Sequence, residues 1–354
     1  MREGVVTSAD VGVAGEPGGS LAETVYAQER KDKRAVYWLA LVFFAGSLLF
    51  AAIGWTRGDV FFLRLATEAL IMGGLAISVD ILLGFAGLLS LGQALYFGLG
   101  AYSSALVLKA SASFWLALAT GIGAGLAGGL IGGVIAARVR GVYFALITFG
   151  LAQVVAKVIY NTRELGASDG IIGIPIVDVP LGISTVRADD PAGFFLVVLV
   201  LIALIYLALT YLTETPYGRL LAALRINQRR LPFLGWPAGP IKLGAFILAA
   251  VIASLAGSLY PMLRGFVSPE LMYFEVSTNA VIAVIIGGAG TLTGPLIGAV
   301  LLVFAKSIIG TFTEHHLIVI GALFMAAVIF LPEGLVGFVK ARLGSASAGG
   351  ESGR

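Results

Sequence analysis

Long apolar runs joined by polar links fill most of the chain. They lie at about 36–55, 59–82, 91–109, 113–136 and 141–160, then at 192–213 and 243–262, and last at 278–290, 294–310 and 316–332. A helix needs roughly 20 apolar residues to cross a bilayer. The pattern therefore predicts an all-α polytopic membrane protein with about ten transmembrane segments. Two longer polar stretches, 161–191 and 214–242, interrupt it. Residues 1–34 are polar and glycine-rich and end in the charge run Glu29-Arg30-Lys31-Asp32-Lys33-Arg34; no apolar stretch precedes Ala35, so this segment is not expected to be a cleavable signal peptide. The expected organisation is a disordered cytoplasmic arm over 1–35, a transmembrane domain over 36–340 and a disordered tail over 341–354.

Composition agrees with this pattern. Of the 354 residues 58% are apolar and 12% charged, about half the charge of a soluble domain. A mean hydropathy of +0.98 excludes a cytosolic enzyme, a nucleic-acid binder and a disordered scaffold together. The chain has no cysteine, so thiolate metal sites, disulfides and cysteine nucleophiles are out. Its two histidines, His315 and His316, are adjacent and fall on different faces of any helix. There is no Gly-Lys pair to form a phosphate-binding loop, no nucleophile elbow and no His-x-x-x-His zinc motif.

The distribution of basic residues sets the orientation. With ten spans and both ends inside, the inner segments hold 15 Lys/Arg and the outer ones 5: Arg57, Lys109, Arg163, Arg187 and Arg264. Treating 278–310 as one helix gives nine spans and moves Lys340 and Arg342 outside, so the charge bias favours two short segments broken at Gly287-Gly288-Ala289-Gly290.

That break has a counterpart. Gly84-Phe85-Ala86-Gly87-Leu88-Leu89-Ser90 aligns without gaps with Gly287-Gly288-Ala289-Gly290-Thr291-Leu292-Thr293, 203 residues on. Matched broken helices in two halves point to a transporter's substrate route, because irregular backbone survives at membrane depth only where protein or a cavity satisfies it. The candidate pathway residues are Gly84, Ala86, Gly87, Ser90 and Gln93 with Gly287, Gly288, Gly290 and Thr293. Gly121, Gly125, Gly129 and Gly133 form an i+4 row that permits close helix approach, within the chain or between subunits. Arg64, Glu68, Asp80, Lys157 and Lys306 are charged groups inside apolar segments. Such groups invite a rival reading as an ion-coupled transporter. Against it, Arg64 and Glu68 are spaced to pair at i,i+4, and Asp80 and Lys157 lie near predicted ends, where they can snorkel.

The 214–242 link begins Thr215-Pro216, an N-cap followed by proline at the first helical position. It predicts an amphipathic helix over 216–231 with Leu220, Leu224 and Leu231 on one side. Such a helix can lie on lipid headgroups or dock on a partner.

Gly218-Arg219-Leu220-Leu221-Ala222-Ala223-Leu224-Arg225-Ile226-Asn227, followed by Leu234-Gly235, Lys242-Leu243 and Ala245-Phe246, resembles the cytoplasmic loop of LivM-type permeases. These are membrane subunits of ABC importers for branched-chain amino acids. The similarity extends to Gly84–Ala94, Gly170-Ile171-Ile172-Gly173-Ile174-Pro175, Val267-Ser268-Pro269, Gly287–Gly290 and Gly294-Pro295. The chain departs from the family at Gln228-Arg229, where an acidic residue is usual, at Asp80, often asparagine, and at Gln153, often glutamate. The resemblance implies a coupling helix that docks on an ATPase subunit through Gly218, Arg219, Ala222, Ala223, Arg225, Asn227 and Gly235. It also implies a LivH-type second permease, two ABC ATPase subunits and a solute-binding protein as partners, in a bacterial inner membrane. ATP and magnesium would then sit on the partner ATPases, with no cofactor in this chain. Related permeases for urea and short amides share most of these blocks, so these and aromatic acids stay open as substrates.

Overall fold

A computed structural model describes residues 21–180, 185–312, 316–330 and 334–338. All ten apolar runs are helical there: α1 (Leu21–Arg57), α2 (Val60–Asp80), α3 (Gln93–Ser111), α4 (Phe114–Ala136), α5 (Val142–Asn161), α6 (Pro191–Glu214), α8 (Ala238–Arg264), α9 (Phe274–Gly287), α10 (Thr293–Phe312) and α11 (His316–Phe330). The polar link carries α7 (Pro216–Asn227). Among the described residues, seven helices are long and apolar enough to cross a membrane: α1, α2, α4, α5, α6, α8 and α10. At 14 residues α9 is only ~21 Å long, too short to cross alone.

α2 is the centre of the bundle, with 78% of its most apolar window buried against α6, α8, α9 and α10. α1 is peripheral, with 11% of its window buried, and turns Leu41, Val42, Leu48 and Leu49 outward. An apolar surface of this kind is what a hydrocarbon solvent requires. α3, α4 and α8 form a second packed group. The glycine row serves that group from within the chain: side-chain atoms on Gly121, Gly125 and Gly129 would collide with Ser258, Ser254 and Ala250 of α8. The Ser254 hydroxyl uses this closeness to donate to the Gly121 carbonyl at 2.6 Å.

The polar 161–191 stretch holds β1 (Ile171–Ile172), β2 (Asp178–Pro180) and β3 (Thr185–Arg187). β2 and β3 pair as an antiparallel hairpin. β1 pairs with β4 (Phe266–Val267), so two motifs nearly a hundred residues apart meet at one end of the bundle.

Three expectations need correcting. The first helix begins at Leu21, so 21–34 is not disordered; it lacks glycine and proline and is rich in helix formers that extend the helix backward. Residues 1–20 and the 341–354 tail lie outside the described residues, as does His315. Second, α7 stops at Asn227, not at 231. The Asn227 side chain accepts from the Arg229 N–H at 3.0 Å, and Pro232 follows in a 3₁₀ turn over Leu231–Leu234. Such an asparagine turn competes with helix. Third, Glu68 does not pair with Arg64; it pairs with Arg264 of α8 at 2.5 Å.

Candidate functional site

Both broken stretches lie at the end of the bundle where α7 packs, and they touch. α2 passes directly into a single π turn, Ile81–Phe85, a feature that recurs at functional sites. The chain then leaves helical geometry through Gly87 at φ +68°. In the other half α9 ends at Gly287 and the chain reverses through Gly288 (φ +114°) and Gly290 (φ +82°) into α10. Gly87 and Gly290 are the aligned positions of the repeat, and both occupy the left-handed region that favours glycine. The break also folds α9 back against α10: a Cβ on Gly287 would strike Gly294, and one on Gly298 would strike Ala283.

Asp80 ties the breaks together. It is 0% exposed, and one carboxylate oxygen accepts from the Gly290 N–H at 2.6 Å while the other accepts from Leu292 N–H at 3.2 Å. Leu292 has φ +55°, unusual for a leucine. The carboxylate does for the second break what a cap does for a helix end. Asp80 therefore does not snorkel. There is no room for a side chain here, since a Cβ on Gly84 would overlap both Asp80 and the Gly290 backbone.

Arg225 closes the arrangement from α7. Its guanidinium donates to the Gly84 carbonyl, and its stem lies over Gly87, where an added Cβ would come within 3.0 Å of it. A Cβ on Gly290 would meet the same guanidinium at 3.2 Å. One arginine thus reaches both breaks, close to the buried Asp80.

The remaining α7 residues divide by face. Gly218, Leu221 and Leu224 are buried, and Gly218 has no room for a side chain against the Thr213 backbone. Tyr217 donates to the Ile241 carbonyl at 3.2 Å, and burial pushes its phenol up to about 12. Thr215 does begin α7, but its hydroxyl turns back to the Leu212 carbonyl. Arg219 and Ala222 line a cavity of about 430 Å³ shared with Tyr206, Gly290 and Thr291. Asn227 and Gly235 shape the exit from α7 and do not reach the breaks; half-buried Ala223 packs against the core.

The candidate pathway residues also separate. Gly84, Ala86, Gly87, Gly287, Gly288 and Gly290 belong to the joined breaks, and buried Thr293 bonds Tyr206 of α6 at 3.0 Å. Ser90 and Gln93 lie elsewhere, toward α5 and α9. There the Leu91 N–H meets Thr148 at 3.2 Å and the Ala94 N–H meets Ser277 at 3.0 Å. Gln93 is fully buried, and its carbonyl oxygen has no partner among the described residues. Sequence reasoning missed Asp80 as the tie and Ser277 and Thr148 as caps. The available signal was an acidic residue just ahead of a glycine-rich break. No group of three or more histidines and carboxylates among the described residues could hold a metal ion.

Comparison with known proteins identifies the setting of this geometry. Residues 61–328 match the family model described as branched-chain amino acid transport system, permease component. The chain is 30% identical over 328 residues to the high-affinity branched-chain amino acid transport system permease protein LivM of Salmonella typhimurium, covering 85% of this chain and 76% of that one. The LivM protein of Escherichia coli gives the same identity over 327 residues. The LivH permease of Escherichia coli is 27% identical over 134 residues, or 37% of this chain and 43% of LivH. No solved structure matches. The chain belongs to the permease family of branched-chain amino acid transport systems and is a multi-pass membrane protein.

Proposed function

We propose that this chain is a permease subunit of an ABC importer for branched-chain amino acids in a bacterial inner membrane, with α7 as its coupling helix. The observation that carries the reading is Arg225, on a short helix at the bundle's end, bonded to the first broken stretch and lying against the second. Force applied to α7 is thereby delivered to the two places where the membrane helices are discontinuous. The outer surface of the same link supplies a docking face. Ile226 is 85% exposed, Phe233 91% and Leu234 70%, all next to Arg229 and Arg230. Exposed aromatic and aliphatic groups rimmed by arginine are the composition of a protein interface core. In this account a LivH-type permease pairs with the chain, two ATPase subunits bind ATP and magnesium, and a solute-binding protein delivers substrate. The rival ion-coupled mechanism would need a free carboxylate in the membrane, but Asp80 holds two backbone N–H groups and Glu68 holds Arg264.

The orientation follows the same reading, with ten segments, both ends inside, α7 cytoplasmic and 161–191 periplasmic. In this cysteine-free chain, a cysteine at Ser168 should react with an impermeant maleimide in intact cells. One at Asn227 should react only after the membrane is opened. The reverse labelling overturns the coupling assignment and the orientation together.

A further inference from the structure

A cavity of about 360 Å³ opens between α2, α9 and α10 beside the end of α8, away from the Arg225 contacts. Its wall carries Glu68, Arg264 and Lys306 with the amide of Asn279. Leu75, Val276 and Leu302 contribute alkyl surface to the same wall. Charged groups on membrane helices are costly in lipid and face protein or water-filled space. Three from three helices share this one cavity, whose remaining wall is mostly apolar. Glu68 is paired with Arg264 at 2.5 Å. Lys306 has no hydrogen bond or ion pair among the described residues, and the acidic group whose charge it feels, Glu275, lies in the first turn of α9.

We infer that this cavity is a transit site for a zwitterionic α-amino acid with a branched alkyl side chain, which rests on the transport reading above and adds a place for the substrate. Lys306 takes the carboxylate, the Glu68 oxygen not held by Arg264 faces the ammonium, and Leu75, Val276 and Leu302 receive the alkyl group. The volume is at the small end of the range for small-molecule sites, suited to one amino acid. A carboxylate fits Lys306 because the other cation, Arg264, is already engaged. Urea or a short amide would leave the Lys306 charge unanswered, which costs affinity.

The test uses the full chain with a single cysteine at Ser307, which also lines the cavity, in the assembled complex in proteoliposomes. The readout is the rate of its modification by a small methanethiosulfonate. L-leucine at about ten times its dissociation constant should slow modification about tenfold by occupancy. Leucinol, which lacks the carboxylate, and isovalerate, which lacks the ammonium, should give little protection. Lys306→Gln should abolish protection and Lys306→Arg should keep it. Absence of protection by leucine, or equal protection by isovalerate or leucinol, overturns the inference; the second result marks a general apolar or lipid-filled chamber. Leucine uptake by the same proteoliposomes separates the two readings. Uptake without protection rejects the cavity and leaves the transport function standing. Protection without uptake rejects the transport reading and with it the transit role, leaving a binding cavity only.

Discussion

Arg225→Glu should reduce substrate-stimulated ATP hydrolysis by the assembled complex to its unstimulated level and stop leucine uptake, while the chain still inserts. The reason is local. The guanidinium that donates to the Gly84 carbonyl and sits 3.2 Å from the Cβ position of Gly290 becomes a carboxylate facing that carbonyl and the buried Asp80. A charged hydrogen bond contributing about 1.5–3 kcal/mol is replaced by repulsion. α7 keeps its own anchors, buried Leu221 and Leu224 and the Tyr217 bond to Ile241, so the helix stays in place. Arg225→Lys retains the charge but not the planar fork, and should give partial coupling. Unchanged stimulation in Arg225→Glu would contradict the role given to this residue.

The second large effect is at Asp80. Asp80→Leu leaves the N–H groups of Gly290 and Leu292 buried without acceptors, at about 1–3 kcal/mol each. Leu292 then has nothing to hold its left-handed backbone. Uptake per assembled complex should fall to near background, with a lower melting temperature in detergent. Asp80→Asn keeps one carbonyl acceptor for these N–H groups and should retain part of the uptake. Near-normal uptake in Asp80→Leu would show that the breaks are held by other contacts.

The helical segments and the two breaks were legible because they rest on local signals: apolar run length, glycine clusters and a proline at the first position of α7. Even the left-handed backbone at Gly87 and Gly290 was implicit in the gap-free alignment of the two stretches. What was not legible depends on partners far away in the chain. Asp80 reads as a residue near a helix end until Gly290 is placed beside it, 210 positions on. Arg64 is the sequence neighbour of Glu68, yet Arg264, 196 positions away, takes the carboxylate. The end of α7 was misjudged for a different reason. The apolar periodicity continues to Leu231, whereas the turn made by Asn227 ends the helix four residues earlier. The glycine row of α4 suits intramolecular packing somewhat better than an intersubunit seam as sequence, and its close contacts with α8 show the intramolecular use.

On the coupling role proposed for α7, transport requires its motion relative to the second break. Ala222 on α7 and Thr291 in the break line one cavity, and the chain has no native cysteine to interfere. Cysteines at both positions, joined by a short bis-methanethiosulfonate, would fix that distance in the assembled complex. Leucine uptake by proteoliposomes should fall to background when the bridge is complete and return on reduction. Full uptake with the bridge intact would contradict the account.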